Sequence, residues 1–189
     1  MKRFLIAILL LLAPASGLPA DESWQGVQKV YDGDTFKLKG GEKVRLLGID
    51  TPELHHSEKL YRDAQRSRQD AKKIRKLGAQ SFEVTNRLLK GRPVRIAEDE
   101  SVRDEYGRTL AYVYFKIRED RFAKIVGQSY SGKVPASEKE YMLNRELVRY
   151  GWASVYKSSS FHEKKEFLRL EREAREKRWG LWRGAPPTR

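Results

Sequence analysis

Tyr31 to Glu53 reads YDGDTFKLKGGEKVRLLGIDTPE, with apolar and polar residues alternating on both sides of Gly40-Gly41. Alternation with a period of two marks half-buried strands, and a glycine pair between two such runs marks the hairpin that joins them. Extended back to Val27, the pattern predicts two strands. Yet the same segment carries Asp34, Arg45, Asp50 and Glu53, charges that a half-buried sheet does not accept without partners.

Taken together these charges make chemical sense. Asp34 follows a glycine at the start of the first strand, and Asp50 closes the next one just ahead of Pro52. Pairing through the hairpin would bring them side by side, where two carboxylates repel unless a cation lies between them. Hard oxygens suit Ca²⁺ or Mg²⁺, with the Thr51 carbonyl well placed and other carbonyls and waters completing the shell. The competing reading of Asp32-Gly33 is a plain turn. Arg45 has the opposite parity to Val44 and Leu46, so it serves either a structural salt bridge to one acid or a site.

A second arginine bears on that choice. PVRIAEDESVRDEYGRTLAYVYF reads as a strand, a turn at Asp104 to Gly107 and a strand rich in Tyr and Val, with Arg108 held at the tip toward a cleft. Two guanidinium groups, a cation site and one more carboxylate, Glu53, match what water needs to attack a phosphodiester. Negative charge grows on the phosphoryl oxygens, where planar guanidinium forks and a divalent cation stabilise it. The carboxylate takes or orients the proton of the water.

The rest of the chain frames these motifs. At 189 residues it suits one domain with tails, and with no cysteine its stability must come from packing. MKRFLIAILLLLAPASGLPA, residues 1–20, has a basic end, an apolar run from Phe4 to Ala13 and small residues after it, the layout of an export signal. An uncleaved anchor is the alternative, although the run falls short of the ~20 residues a spanning helix needs. The formal charge of +13 becomes +11 once Lys2 and Arg3 are removed, a surplus that favours a polyanionic partner.

Residues 57–90 shift to helical spacing, with Ala79, Phe82, Leu88 and Leu89 able to share a face before Gly91 and Pro93 stop the run. The charged part, about 57–76, reads as a solvated helix or loop, and 116–141 as an irregular surface insertion. MLNRELVRYG is a short helix closed by Gly151, and WASVYK is extended. The last helix turns Phe167, Leu170 and Ala174 inward and ends at Gly180. This order implies an α+β fold, with a small Greek-key barrel carrying helices. His55 and His56 read as an exposed loop pair, and Trp152, Trp179 and Trp182 as packing residues.

The segments DGDT, RLLGIDTPE and DEYGR, in this order, resemble the staphylococcal nuclease (thermonuclease) family over roughly 28–182, with MLNRELVRYGWASVYK and KRWGLW adding to the likeness. The resemblance implies an OB-fold barrel with helices over 24–184, insertions at about 57–76 and 116–141, and a tail at 185–189. It also implies a Ca²⁺-dependent nuclease acting on DNA and RNA with little sequence preference. Asp34, Asp50 and the Thr51 carbonyl correspond to calcium ligands, Arg45 and Arg108 to the phosphate-binding pair, and Glu53 to the proposed general base. Tyr106 corresponds to a contact near the terminal phosphate and Tyr156 to one near the base.

Glu105 departs from the family's best-known member, which has a phosphate-contacting lysine there. Both insertions are longer in this chain than in that member. An exported monomer without stable membrane association is expected. The rival readings are a non-catalytic nucleic-acid-binding module on the same barrel and a basic protein of the envelope surface.

Overall fold

The first hairpin forms, but the run upstream of it breaks into two strands, β1 (Gln25–Val30) and β2 (Thr35–Leu38), before β3 (Lys43–Leu46). The break is a turn in which the Tyr31 amide donates to the Thr35 carbonyl and the Asp34 amide to Asp32 Oδ1, each at 2.9 Å. An aspartate that binds the backbone two residues on offers a local partner in place of the ladder, so the strand stops there. Past that turn Thr35 pairs with Arg45 and Phe36 with Val44. Gly41, at φ +95°, takes the left-handed turn position.

The computed structural model describes residues 23–67 and 70–184, so the segments read as an export signal (1–20) and a tail (185–189) lie outside the described residues. After β3 come β4 (Ile49–Asp50), α1 (Glu58–Ser67), α2 (Ala71–Leu89), β5 (Pro93–Arg103), β6 (Thr109–Ile117) and α3 (Glu119–Val126). Then follow β7 (Lys139–Met142), α4 (Leu143–Arg149), β8 (Ser154–Val155), α5 (Lys164–Glu176) and a 3₁₀ turn, Gly180–Gly184. No helix among the described residues is long and apolar enough to cross a membrane.

The main sheet runs β3-β2-β1-β5-β6-β7, and a parallel pairing of β3 with β6 closes its first five strands into a barrel. The first half of β6 pairs with β3, and its second half carries β7 along the same edge. Closure leaves no long free edge and defines the α+β, OB-fold architecture. Phe36, Leu38, Val44, Leu46, Val94, Val113 and Phe115 fill the barrel and are almost wholly buried. Each such side chain contributes about 1.5–3 kcal/mol relative to exposure.

Asn144, wholly buried on α4, ties that helix to the barrel. Its Oδ1 accepts from the Val113 amide, and its Nδ2 donates to the carbonyls of Leu47 and Ala111, all at 3.0 Å. Phe167, Leu170 and Ala174 of α5 are buried as their spacing predicts.

Two expectations need correction. The stretch 116–141 is not an irregular surface segment throughout. It contains the end of β6, then α3 with Phe122, Ala123 and Val126 buried, and then β7. Phe122 stacks on Tyr141, with centroids 4.2 Å apart, so this segment helps build the core.

The inner face of α2 is only partly the expected one, since Leu88 and Leu89 are buried as predicted. Ala79 is exposed and Phe82 only partly buried, while Gly78, Ser81, Val84, Thr85, Leu88 and Leu89 face inward. Small and hydroxylated residues turn inward because α2 packs on backbone. Ser81 Oγ donates to the Trp152 carbonyl at 2.7 Å and Thr85 Oγ1 to the Gly33 carbonyl at 2.8 Å. Within the charged stretch 57–76, Leu60 and Ile74 are buried, giving α1 and α2 an anchored side as well as a solvated one.

Candidate active site

The turn between β1 and β2 delivers Asp34 into the protein, where it is 2% exposed. Its Oδ1 accepts from Arg45 Nη1 at 2.7 Å and from the Thr35 hydroxyl at 3.0 Å. Its Oδ2 accepts from the Thr51 amide at 3.0 Å and the Thr51 hydroxyl at 3.1 Å. Four donors on two oxygens are what make a buried carboxylate tolerable.

Arg45 projects from β3 and bridges two acids, since its Nη2 donates to Asp50 Oδ1 at 3.0 Å. Burial works against the guanidinium charge, but Asp34 and Asp50 outweigh it and hold Arg45 above its ordinary value. Asp50 is set by β4, which pairs with β8, and Ser154 Oγ donates to the Asp50 carbonyl at 3.1 Å. Burial first, and the neighbouring Asp34 charge second, push the Asp32 carboxyl up to about 7.

Arg108 is held from the other side of the cluster by Asp104. Both Nε and Nη2 lie 2.7 Å from Asp104 Oδ2, while Oδ1 accepts the amides of Tyr106 and Arg108 at 2.9 and 3.0 Å. Burial opposes the Asp104 charge, yet these hydrogen bonds and the guanidinium prevail and keep its carboxyl below the usual range. The remaining nitrogen, Nη1, reaches the Thr35 hydroxyl at 3.4 Å. Thr35 therefore joins the halves into one chain of contacts, Asp50–Arg45–Asp34–Thr35–Arg108–Asp104.

The Tyr106 ring lies under the Arg108 guanidinium at 5.3 Å and is 76% exposed. Tyr156 follows β8, the strand beside Asp50, with its amide on the Gly48 carbonyl and its side chain 47% exposed. Thr51 meets Asp34 through its amide and hydroxyl.

Glu53 is positioned from both sides. Ser57 Oγ donates to its Oε2 at 3.3 Å and in turn accepts the Leu60 amide at 3.1 Å, so the start of α1 holds the carboxylate. Behind it, Gly78 of α2 lets the chain pass closely, since a Cβ there would lie 2.5 Å from the Glu53 carbonyl oxygen and 2.6 Å from that of Pro52.

Gly78→Ala sets two effects against each other. Alanine favours an exposed helix interior by about 1 kcal/mol, whereas overpacking against backbone costs about 1–3 kcal/mol. The expected result is a slightly less stable protein with Glu53 displaced. A shift of an ångström in a reacting group costs on the order of 100-fold in rate. Thermal unfolding and turnover measured together check this; a stabler variant with normal turnover would contradict it.

The carboxylates suit a hard divalent cation. Asp34 and Asp50 each bind one nitrogen of the Arg45 guanidinium, and carboxylate oxygen is the donor type that Ca²⁺ takes. No group of three or more His, Asp or Glu side chains placed to hold a metal occurs among the described residues. A divalent cation bound beside Asp34 and Asp50 would take most of its oxygen shell from carbonyls and water.

Sequence reasoning missed Thr35 and Asp104 and treated Asp32 only as a turn residue. Asp104 had a readable signal, an aspartate opening a DEYG turn four residues before the arginine it holds. Thr35 had none, because its role depends on the second hairpin arriving beside the first.

The sequence profile described as "Staphylococcal nuclease homologue" matches residues 43–184. An uncharacterized protein of Methanocaldococcus jannaschii is 36% identical over 164 residues, covering 82% of this chain and 70% of its own length. The "Thermonuclease" of Staphylococcus intermedius is 35% identical over 91 residues, 47% of this chain and 46% of that protein. That of Staphylococcus hyicus is 33% identical over 98 residues, 50% of each. The chain thus spans about half the length of the two thermonucleases it matches.

Proposed function

The chain belongs to the staphylococcal nuclease family, and from that premise we propose that it is a calcium-dependent nuclease that hydrolyses phosphodiester bonds of DNA and RNA with little sequence preference. The observation that carries this reading is the unbroken contact chain from Asp50 to Asp104, which holds two guanidinium groups among three carboxylates. Arg45 and Arg108 would receive the phosphoryl oxygens, pairing with them as planar forks and gaining strength as charge grows there. Glu53, held by Ser57, would accept the proton of the attacking water. Tyr106 and Tyr156 would flank the strand at its phosphate and base. Asp34, Asp50 and Thr51 would hold Ca²⁺, which when bound supplies Lewis-acid stabilisation of the phosphoryl oxygens.

On the same reading the protein is exported, acts as a monomer and forms no stable association with membranes. Its net positive charge would draw in polyanionic strands. The alternative is a non-catalytic binding module on the same barrel, in which Arg45 serves only as the salt-bridge partner of Asp34 and Asp50.

Incubation of plasmid, denatured DNA and RNA with calcium or with a chelator separates the two. The expected result is degradation of all three with calcium and none with the chelator. Retention of intact strands under every divalent cation tried would favour the binding module.

A further inference from the structure

Leu54 directly follows Glu53 and forms one end of a groove of about 570 Å³ whose other side is the start of α2. Lys72, Lys73, Arg75 and Lys76 line it, and all four are exposed. Among the described residues no ion pair engages Lys72, Lys73 or Lys76. The acid in the groove, Asp70, spends one carboxylate oxygen capping the helix, where it accepts the Lys72 amide at 3.1 Å.

Arg75 fixes the groove to the site. Its Nε donates to the Leu54 carbonyl at 3.3 Å, and its Nη1 lies 2.9 Å from His56 Nε2. His56 in turn stacks on Tyr61 of α1, with ring centroids 6.3 Å apart, and its Nδ1 is 3.2 Å from the Tyr61 hydroxyl. The Tyr61 ring is 53% exposed, which is uncommon for a side chain with that much apolar surface. Unpaired cations in a row beside an exposed aromatic pair have the makeup of a single-strand platform, in which cations track the backbone and a ring takes a base. A protein partner fits less well, because four of the seven residues lining the groove are cations and three of those are lysines, which interface cores lack.

We propose that this groove binds the phosphate backbone of single-stranded nucleic acid continuing past Glu53, with the His56–Tyr61 pair stacking on one of its bases. The placement rests on the proposed function, since it takes Glu53 as the reacting end of the strand. The groove would make long strands better substrates than short ones without touching the reacting phosphate.

The test uses the full chain and a fluorescent 20-nucleotide oligothymidylate, with affinity measured in chelator across a range of salt and the strand checked for integrity. Lys72→Gln/Lys73→Gln is compared with Lys124→Gln/Lys133→Gln, which removes the same charge from exposed positions outside the groove. Losing two phosphate contacts lowers the salt slope by about 1.4 and weakens binding roughly 10- to 30-fold near 0.1 M salt. Tyr61→Ala is expected to weaken it about fivefold or more, with the salt slope unchanged.

With calcium, the groove variant should lose kcat/KM on the oligonucleotide but not on a p-nitrophenyl ester of a single thymidine phosphate, which is too short to reach the groove. Equal affinities for the two double variants, or equal losses on both substrates, would overturn the proposal. If neither substrate is cleaved, the nuclease reading fails. A selective affinity loss in the groove variant would still support the groove, and a loss confined to anionic phosphatidylglycerol vesicles would overturn it in favour of a membrane surface.

Discussion

Arg108→Lys is expected to lower kcat by about 100- to 1000-fold while the protein still folds, the scale of losing one preorganised donor to a developing oxyanion. The native guanidinium places two nitrogens on Asp104 and reaches Thr35 with the third. A lysine is a single point of charge on a flexible stem and cannot hold Asp104 while presenting a planar fork to phosphate. The turn itself survives, because Asp104 Oδ1 binds the backbone amides at 106 and 108 whatever side chain follows. The stability cost should therefore stay at or below about 2 kcal/mol, the value of a charged hydrogen bond. Turnover with thermal unfolding checks both halves, and near-normal turnover in the folded variant would remove Arg108 from the mechanism.

Asp34→Ala is expected to cost about 3–5 kcal/mol in urea unfolding, the largest stability effect in the cluster. The substitution strips acceptors from the Thr51 amide, the hydroxyls of Thr35 and Thr51, and one arm of Arg45. The Arg45 side chain is only 19% exposed and would keep a single carboxylate partner, Asp50. Because the Asp50 side chain is 26% exposed against 3% for that of Asp34, the parallel Asp50→Ala change should cost clearly less. Equal costs for the two, or a loss under about 1 kcal/mol at Asp34, would mean that water replaces the buried carboxylate.

Much of this arrangement was legible in the sequence because it is local. The Gly40-Gly41 hairpin, the DEYG turn and the inward face of α5 each follow from spacing within a dozen residues. The pairing of β3 with β6, which closes the barrel, joins Val44 to Thr109 and left no local trace. Part of the inner face of α2 escaped the sequence for a related reason. Helical spacing finds apolar stripes, but this helix turns Gly78, Ser81 and Thr85 toward the backbone at Pro52–Glu53, Trp152 and Gly33.

The segment 116–141 looked irregular because Gly127, Ser131, Gly132 and Pro135 interrupt it, while Phe122 and Val126 bury themselves only against distant partners such as Tyr141. In the site, the charged residues stood out because buried charge needs a reason. Thr35 did not, since a threonine in a strand is ordinary until Arg108 lies beside it.

The most direct measurement is cleavage of denatured DNA by the chain with calcium, run beside Arg108→Ala and Glu53→Ser variants whose folding is verified. Calcium-dependent cleavage by the native chain and its loss in both variants is the predicted result, locating hydrolysis at the cluster between the two hairpins. Salt-sensitive binding of DNA without cleavage, or cleavage that survives in both variants, would contradict it.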